Sequence, residues 1–255
     1  MKRIVKQFLI ITFWIIIWFL FSLIIDNELL FPSPILVIIR LFELVLTANF
    51  WIITLTSLFR VMLGIIVAIL IGAILGGISA KFTLFHNLIS PLMTIIKATP
   101  VASFIILIVL FIGKDIVPSF ISSLMVIPIV WENVYTGFKG INMELVEVSK
   151  IYSFSFRKQC KTIYFPSVLP YFISAVMSSI GLGWKAGIAA EILYPPILSI
   201  GKSISNANQY LETTDLFVWT LVVILLSLLF EFLVKLVVNI SSKKSSVANK
   251  GGKDL

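Results

Sequence analysis

Cysteine, histidine and charge are scarce in this 255-residue sequence, and each scarcity closes off a class of function. One cysteine, Cys160, allows neither an intramolecular disulfide nor a thiolate zinc cage, and a single histidine, His86, excludes multi-histidine metal sites. Charged residues make up 13% of the chain and apolar residues 59%. An average soluble chain carries roughly 25% charged residues, so the composition argues against a soluble domain. The mean hydropathy of +1.09 points to the membrane. Gly and Pro, 13 and 10 residues, are too few for a low-complexity or disordered chain. A net charge of +8 would suggest nucleic acid in a soluble protein; here it must be read loop by loop, and it turns out to report topology.

The uncharged run Gln7 to Ile25 is 19 residues, close to the roughly 20 that cross a hydrocarbon core as helix. It is longer than a signal-peptide core and ends in Asp26-Asn27-Glu28 without a small-residue cleavage site, so a retained anchor is expected. Val61 to Ala80 forms a second span that begins before Arg60, and its Gly72-xxx-Gly76 spacing lets another helix approach closely. From Phe82 to Gly113 there is room for one long helix or for an amphipathic segment and a span, bent at Thr99-Pro100. Ile116 to Trp131 predicts a short fourth span kinked at Pro128, and Thr162 to Trp184 a fifth that starts after Pro166 and Pro170. Leu216 to Ile240 is the sixth. The fold class is therefore an all-α integral membrane protein with about six transmembrane helices, its core between 26 and 240, a cytoplasmic stub over 1–7 and a disordered Ser/Lys-rich tail over 241–255.

Lys and Arg in the connecting segments set the orientation. With the N-terminus inside, residues 1 to 6, about 80 to 87, about 132 to 166 and the tail carry thirteen of them, against Arg40, Lys114 and Lys202 outside. Both termini are expected in the cytoplasm, and no nucleic-acid partner is expected.

Two connecting segments are long enough to do more than connect. Outside, Ser33 can cap a helix that has Pro34 at its first position, and the following Ile35 to Leu46, with Arg40 and Glu43 spaced i, i+3, suits the lipid interface. Glu191 to Asp215, with its polar Ser203 to Asn208 patch, reads either as an entrance or as a solvated loop. Inside, Asn142 to Tyr152 places Leu145, Val148 and Tyr152 on one helical face, with Glu144, Glu147 and Lys150 to the side. A break at Ser153 to Ser155 leads to a second, basic helix with Arg157, Lys158 and Lys161. Ile151, Tyr152, Phe154 and Phe156 surround the bend, and such residues at a cytoplasmic turn need a partner or lipid to cover them.

Glu147-Val148-Ser149, three residues, Ser153, nine residues, Ile163-Tyr164-Phe165-Pro166 resembles the Glu-Ala-Ala loop of ABC-importer membrane subunits, E-A-A-x3-G-x9-I-x-L-P. The departures are Val148 and Ser149 for the alanines, Ser153 for glycine, which makes a left-handed turn less easy, and Phe165 for leucine. Phe31-Pro32-Ser33-Pro34, Thr56 to Gly64, Lys97-Ala98-Thr99-Pro100-Val101-Ala102 and Trp184 to Glu191 extend the likeness in order and spacing, and they resemble the nitrate, sulfonate and taurine branch of these permeases.

That resemblance implies a MetI-like permease core with a cytoplasmic coupling helix. It also implies a translocation pathway made with a second permease copy, a substrate-binding protein at the outer face and separate ATP-binding cassette ATPases beneath. By similarity Glu147 engages a basic group on the ATPase, Ile151, Tyr152 and Phe154 supply an apolar plug, and Val148, Ser149, Ser153, Ile163 and Pro166 complete the docking element. No G-x-x-x-x-G-K-[ST] loop is present, so ATP hydrolysis is expected on a partner rather than here, and neither a catalytic residue nor a cofactor is expected.

Ionisable residues at membrane depth are functional candidates. Lys97, Lys185 and Glu191 are the pathway candidates. Lys185 suits an anion in the pathway or, equally compatible with the residues, an ion pair or snorkelling toward the interface; Glu191 admits a structural or a pathway role, and Lys97 a loop anchor. An ion-coupled secondary transporter or channel accounts for the spans but not for the inside loop, and no self-similar halves are found. An intramembrane enzyme lacks a nucleophile with its base.

Overall fold

The computed structural model of the chain describes residues 2–250, which are helical with no strand among them. α1 (Lys2–Ile25) is apolar all round, and most of its described side chains are exposed, as befits a lipid-facing helix. Its C-terminal half is tied to two other segments: Trp18 donates to the Pro32 carbonyl at 3.1 Å and stacks on Phe217. α2 (Pro34–Val45) opens as its sequence predicts, with the Ser33 hydroxyl accepting from the Leu36 N–H at 3.3 Å and Pro34 at the first position. It buries Pro34 and Val37 while Ile38, Ile39 and Phe42 stay exposed. α3 (Ala48–Lys81) begins well before Arg60, as the sequence suggests.

Two compact units divide the chain, Met1–Leu58 with Glu191–Leu226 and Phe59–Ala190 with Ser227–Leu255. In the second, α4 (Thr83–Ala98) and α5 (Val101–Ile108) meet at 103°, broken at Thr99-Pro100 where the sequence places a bend. α6 (Val117–Lys139) continues through Pro128. Against α6 packs the small-residue stripe of α3. A Cβ on Gly72 would lie 2.8 Å from Val130 Cβ, and one on Gly76 would lie 2.8 Å from the Trp131 carbonyl oxygen; at Gly64 it would collide with the Ser119 backbone. Absent side chains thus let the two backbones touch, and Ser119 and Ser123 use the closeness to donate to the Arg60 and Gly64 carbonyls, each at 2.7 Å. His86 stacks on Tyr135, ring centroids 4.0 Å apart, and on Trp131, whose indole donates to Ser79.

α7 (Met143–Ile151) comes next, and then α8 (Phe156–Gln159), a π turn (Cys160–Tyr164) and α9 (Phe165–Leu193) form one uninterrupted helical stretch. Two expectations are corrected here. The basic segment is not a separate second helix but the first turns of span five, and that span starts ahead of Pro166 and Pro170 rather than after them. In the π turn the Phe165 N–H reaches the Cys160 carbonyl five residues back, which widens the backbone just where Pro166 lacks a donor.

In the first unit, α10 (Ile200–Gln209) replaces the loop read between Glu191 and Asp215. α11 (Thr213–Lys250) carries Asp215 in its first turn, which takes a two-point bond from Arg40 at 2.6 and 3.1 Å. That bond first, and the Glu43 bond second, raise the Arg40 pKa further and keep it charged. Of the tail expected to be disordered, α11 carries the backbone on to Lys250, and residues 251–255 lie outside the described residues.

Among the described residues five helices are long and apolar enough to cross a membrane, and the bent α4–α5 pair makes a sixth if it counts as one crossing.

Candidate functional site

The elbow at α7 is built from short-range rules. Asn142 caps α7 by accepting from the Glu144 N–H at 2.8 Å. At the other end Ser153 adopts φ 51°, the Phe154 N–H bonds the Ser149 carbonyl at 2.9 Å and the Ser153 N–H bonds the Lys150 carbonyl at 2.9 Å. These are the paired bonds of a Schellman termination, with serine at the position that glycine usually fills. The chain reverses, Lys158 Nζ sits 3.7 Å above the Phe154 ring, and Gln159 donates to the Phe154 carbonyl.

The side of α7 that faces protein is not the Leu145, Val148 and Tyr152 face. Val146 and Ser149 are buried, the latter donating to the Val146 carbonyl, and Ile163 is buried on the helical stretch after the turn. Leu145, Val148 and Tyr152 are exposed, as are Glu147 and Pro166. Ile151 and Tyr152, at 80% and 73% accessible, project from the tip, and Phe154 is half-buried beneath Lys158. The elbow is therefore fixed from behind by Val146 and Ser149 and presents an apolar tip with a carboxylate beside it.

The three pathway candidates lie in different surroundings. Lys97, in the last turn of α4, bonds Glu132 of α6 at 2.7 Å, a partner that sequence spacing does not identify. Lys185 is exposed on α9 beside a cavity of about 350 Å³, also lined by Ser178, Gly181, Glu231 and Lys235, and no carboxylate among the described residues lies within ion-pair distance of it. Glu191 is fully buried. Its carboxylate accepts from the Ser57 hydroxyl at 2.7 Å and from the Gly201 N–H at 3.2 Å, while the Ser57 oxygen accepts from the Ile200 N–H at 2.8 Å. A negative charge is thus seated on the first turn of α10, where the helix dipole and unpaired N–H groups favour it. The knot around Glu191 went unread because Ser57 and Gly201 lie 134 and 10 residues from it; a glycine two residues past the cap Ser199 was the available signal, since a Cβ there would collide with Glu191.

Among the described residues no three His, Cys, Asp or Glu converge as metal ligands.

Residues 64–246 match the family described as binding-protein-dependent transport system inner membrane component. The putative aliphatic sulfonates transport permease protein of Bacillus subtilis (strain 168) is 23% identical over 92% of this chain and 84% of its own length. The taurine transport system permease protein of Escherichia coli (strain K12) is 20% identical over 87% and 82%. A bicarbonate transport system permease protein of Synechocystis reaches 30% identity over 61% of this chain and just over half, 56%, of that protein.

Proposed function

Because the chain belongs to the family of binding-protein-dependent transport system inner membrane components, and so is a multi-pass permease subunit of an ATP-binding cassette importer, we propose that its α7 elbow seats a separate ATPase subunit and that its helices form one half of a solute pathway. One observation carries the docking reading: a helix secured from behind through Val146 and Ser149 that leaves Ile151 and Tyr152 bare at its tip. Apolar side chains at a water-facing turn gain by being covered, and burying a Tyr or Ile removes about 1.5–3 kcal/mol of unfavourable exposure. Glu147 stands beside them to engage a basic group, and Val148, Ser149, Ser153, Phe154, Ile163 and Pro166 shape the elbow.

Motion at the elbow has a direct route into the membrane. From Phe156 to Leu193 the helical backbone has no break, so a displacement of α7 is handed to the span as tilt. Nucleotide can drive this only to the extent that the ATPase surface binds one tilt better than the other.

Orientation follows from parity. Thirteen lysines and arginines of the N-terminus, inner loops and tail belong on one side. The elbow joins the N-terminus there only if an even number of crossings separates them. α1, α3 and α6 make three; the bent α4–α5 pair must supply the fourth. At 16 and 8 residues neither half crosses a core of ~30 Å alone, and their 103° bend keeps the two lengths from adding end to end, so parity rather than length makes the pair one crossing. Both termini are then cytoplasmic, and a second copy of the chain and an outer substrate-binding protein complete the importer. The solute is a small one of the kind the relatives' names give: an aliphatic sulfonate, taurine or bicarbonate. Membership of a binding-protein-dependent transport system family favours an importer over an ion-coupled secondary transporter or channel.

Glu147→Arg is the test. The variant should insert normally yet lose co-purification of the ATPase and ATP-driven uptake, and full recovery of the ATPase would remove the docking role.

A further inference from the structure

The groove between α9 and α11 carries a pattern that the docking reading leaves unused. A Cβ on Gly181 would lie 3.5 Å from Glu231 Oε1, which sets these two residues at one level. Lower numbers on α9 meet higher numbers on α11, as Phe172 and Val176 do with Val238 further along, so the helices run antiparallel. Lys185 is then about one turn, ~6 Å, to one side of Glu231, and Lys235 about as far to the other. The groove presents plus, minus, plus along its length. Glu231 and Lys235 are 3.6 Å apart, whereas Lys185 faces the cavity with no carboxylate within ion-pair distance among the described residues.

Depth makes the pattern informative. Glu231 sits three residues past the middle of the apolar stretch Leu216 to Ile240, and Lys185 is eight residues, ~12 Å, from the end of α9 at Leu193. Lys185 is too far from the end of α9 to be explained as a loop anchor. An ammonium group facing lipid at such depth is costly and is retained where it meets water or an anion.

We infer that this groove is a station for a small anion, a carboxylate, sulfonate or inorganic oxyanion, held first at Lys185, with Glu231 as a resident counter-charge that keeps Lys235 occupied until the anion displaces it. This rests on the permease reading above and adds to it a place and a charge preference. Ser178, exposed on the same wall, lends its position as a reporter, and beyond it the groove turns apolar at Phe172, Val176, Leu233 and Val238. An anion leaving Lys235 would meet no further fixed charge in that stretch, so the inner part of the groove does not hold it.

The experiment uses the full chain in membrane vesicles with its partners. In a Cys160→Ser background, Ser178→Cys is titrated with two methanethiosulfonates of similar size, one bearing a sulfonate and one a trimethylammonium, each rate divided by that of a small free thiol. The sulfonate reagent should react about tenfold faster. Lys185→Gln should bring the ratio close to one, Lys185→Arg should restore it, and Glu231→Gln should raise it. Equal rates, a faster cationic reagent, or no reaction with either, the outcome if a second copy of the chain seals the groove, each overturn the station. Co-purification of the ATPase from the same vesicles reports the docking reading separately: the charge preference can fail with that association intact, and the association can be lost with the charge preference intact.

Discussion

Glu191 and Glu147 are carboxylates of the same chemistry put to opposite use. Glu191 is fully buried with its bonds made to Ser57 and to the first turn of α10, whereas Glu147 lies exposed beside Ile151 and Tyr152. A carboxylate taken out of water is tolerated only when it is hydrogen-bonded, and Glu191 meets that condition with bonds to Ser57 and Gly201 inside the chain. Glu147 lies exposed and has lost little hydration, so under the docking proposal its charge remains open to a partner. The same division holds for their neighbours: small residues, Ser57 and Gly201, crowd the first, and large apolar ones stand uncovered near the second. Burial with internal hydrogen bonds suits a part that holds the subunit's own shape; exposed apolar side chains beside a charge suit the partner surface proposed for the elbow.

The sharpest way to break this contrast is Glu191→Ala. Removing the carboxylate leaves the Gly201 N–H and the Ser57 hydroxyl without their acceptor in a dry site, and deleting one partner of a buried charged network costs roughly 3–5 kcal/mol. Thermal unfolding of the detergent-purified chain should shift down by several degrees or the yield should collapse, while the Glu147→Ala melting curve overlays the wild type. Matching curves for both variants would erase the distinction. Gly64→Ala comes next at ~1–3 kcal/mol, because the added methyl collides with the Ser119 backbone and pushes α6 away; loss of the Ser119 and Ser123 bonds to α3 would register as faster amide exchange in both helices.

Tyr152→Ala sharpens the other side. A tip residue that fills a pocket on the ATPase should lower its affinity about tenfold, ~1.4 kcal/mol, with no change in melting temperature. A drop in melting temperature with unchanged ATPase affinity would make Tyr152 a packing residue instead.

These cases also mark how far a single sequence could be read. Most of the spans, the Ser33 cap, the bend at Thr99-Pro100 and the Gly72-xxx-Gly76 contact face were legible, because each depends on residues within a few positions of one another. The Glu191 knot, the Lys97–Glu132 pair and the opposition of Lys185 to Glu231 were not, since each joins residues that only the packing of helices brings together. Span five was misplaced for a local reason of a different kind. Prolines commonly open helices, yet here a π turn absorbs the missing donor and the helix starts at Phe156, ahead of both. The buried face of α7 is not legible in the sequence because Ser149, a small polar residue, satisfies itself on the Val146 carbonyl and packs as though apolar.

The smallest effect tests whether the elbow's shape is held by its own turn or imposed by its surroundings. Ser153 occupies a left-handed conformation at φ 51° that costs an L-residue with a Cβ about 1 kcal/mol and glycine almost nothing. Glycine also widens the unfolded ensemble, which takes back part of the gain. Ser153→Gly should therefore stabilise the chain slightly, by ~0.5 kcal/mol, and leave ATPase co-purification intact, since the Phe154–Ser149 and Ser153–Lys150 backbone bonds need no side chain at 153. Ser153→Val should do the reverse, as a β-branched residue resists this region. If valine were tolerated as well as glycine, the reversal would not depend on the left-handed turn, and the elbow would have to be shaped by contacts beyond residues 149 to 154.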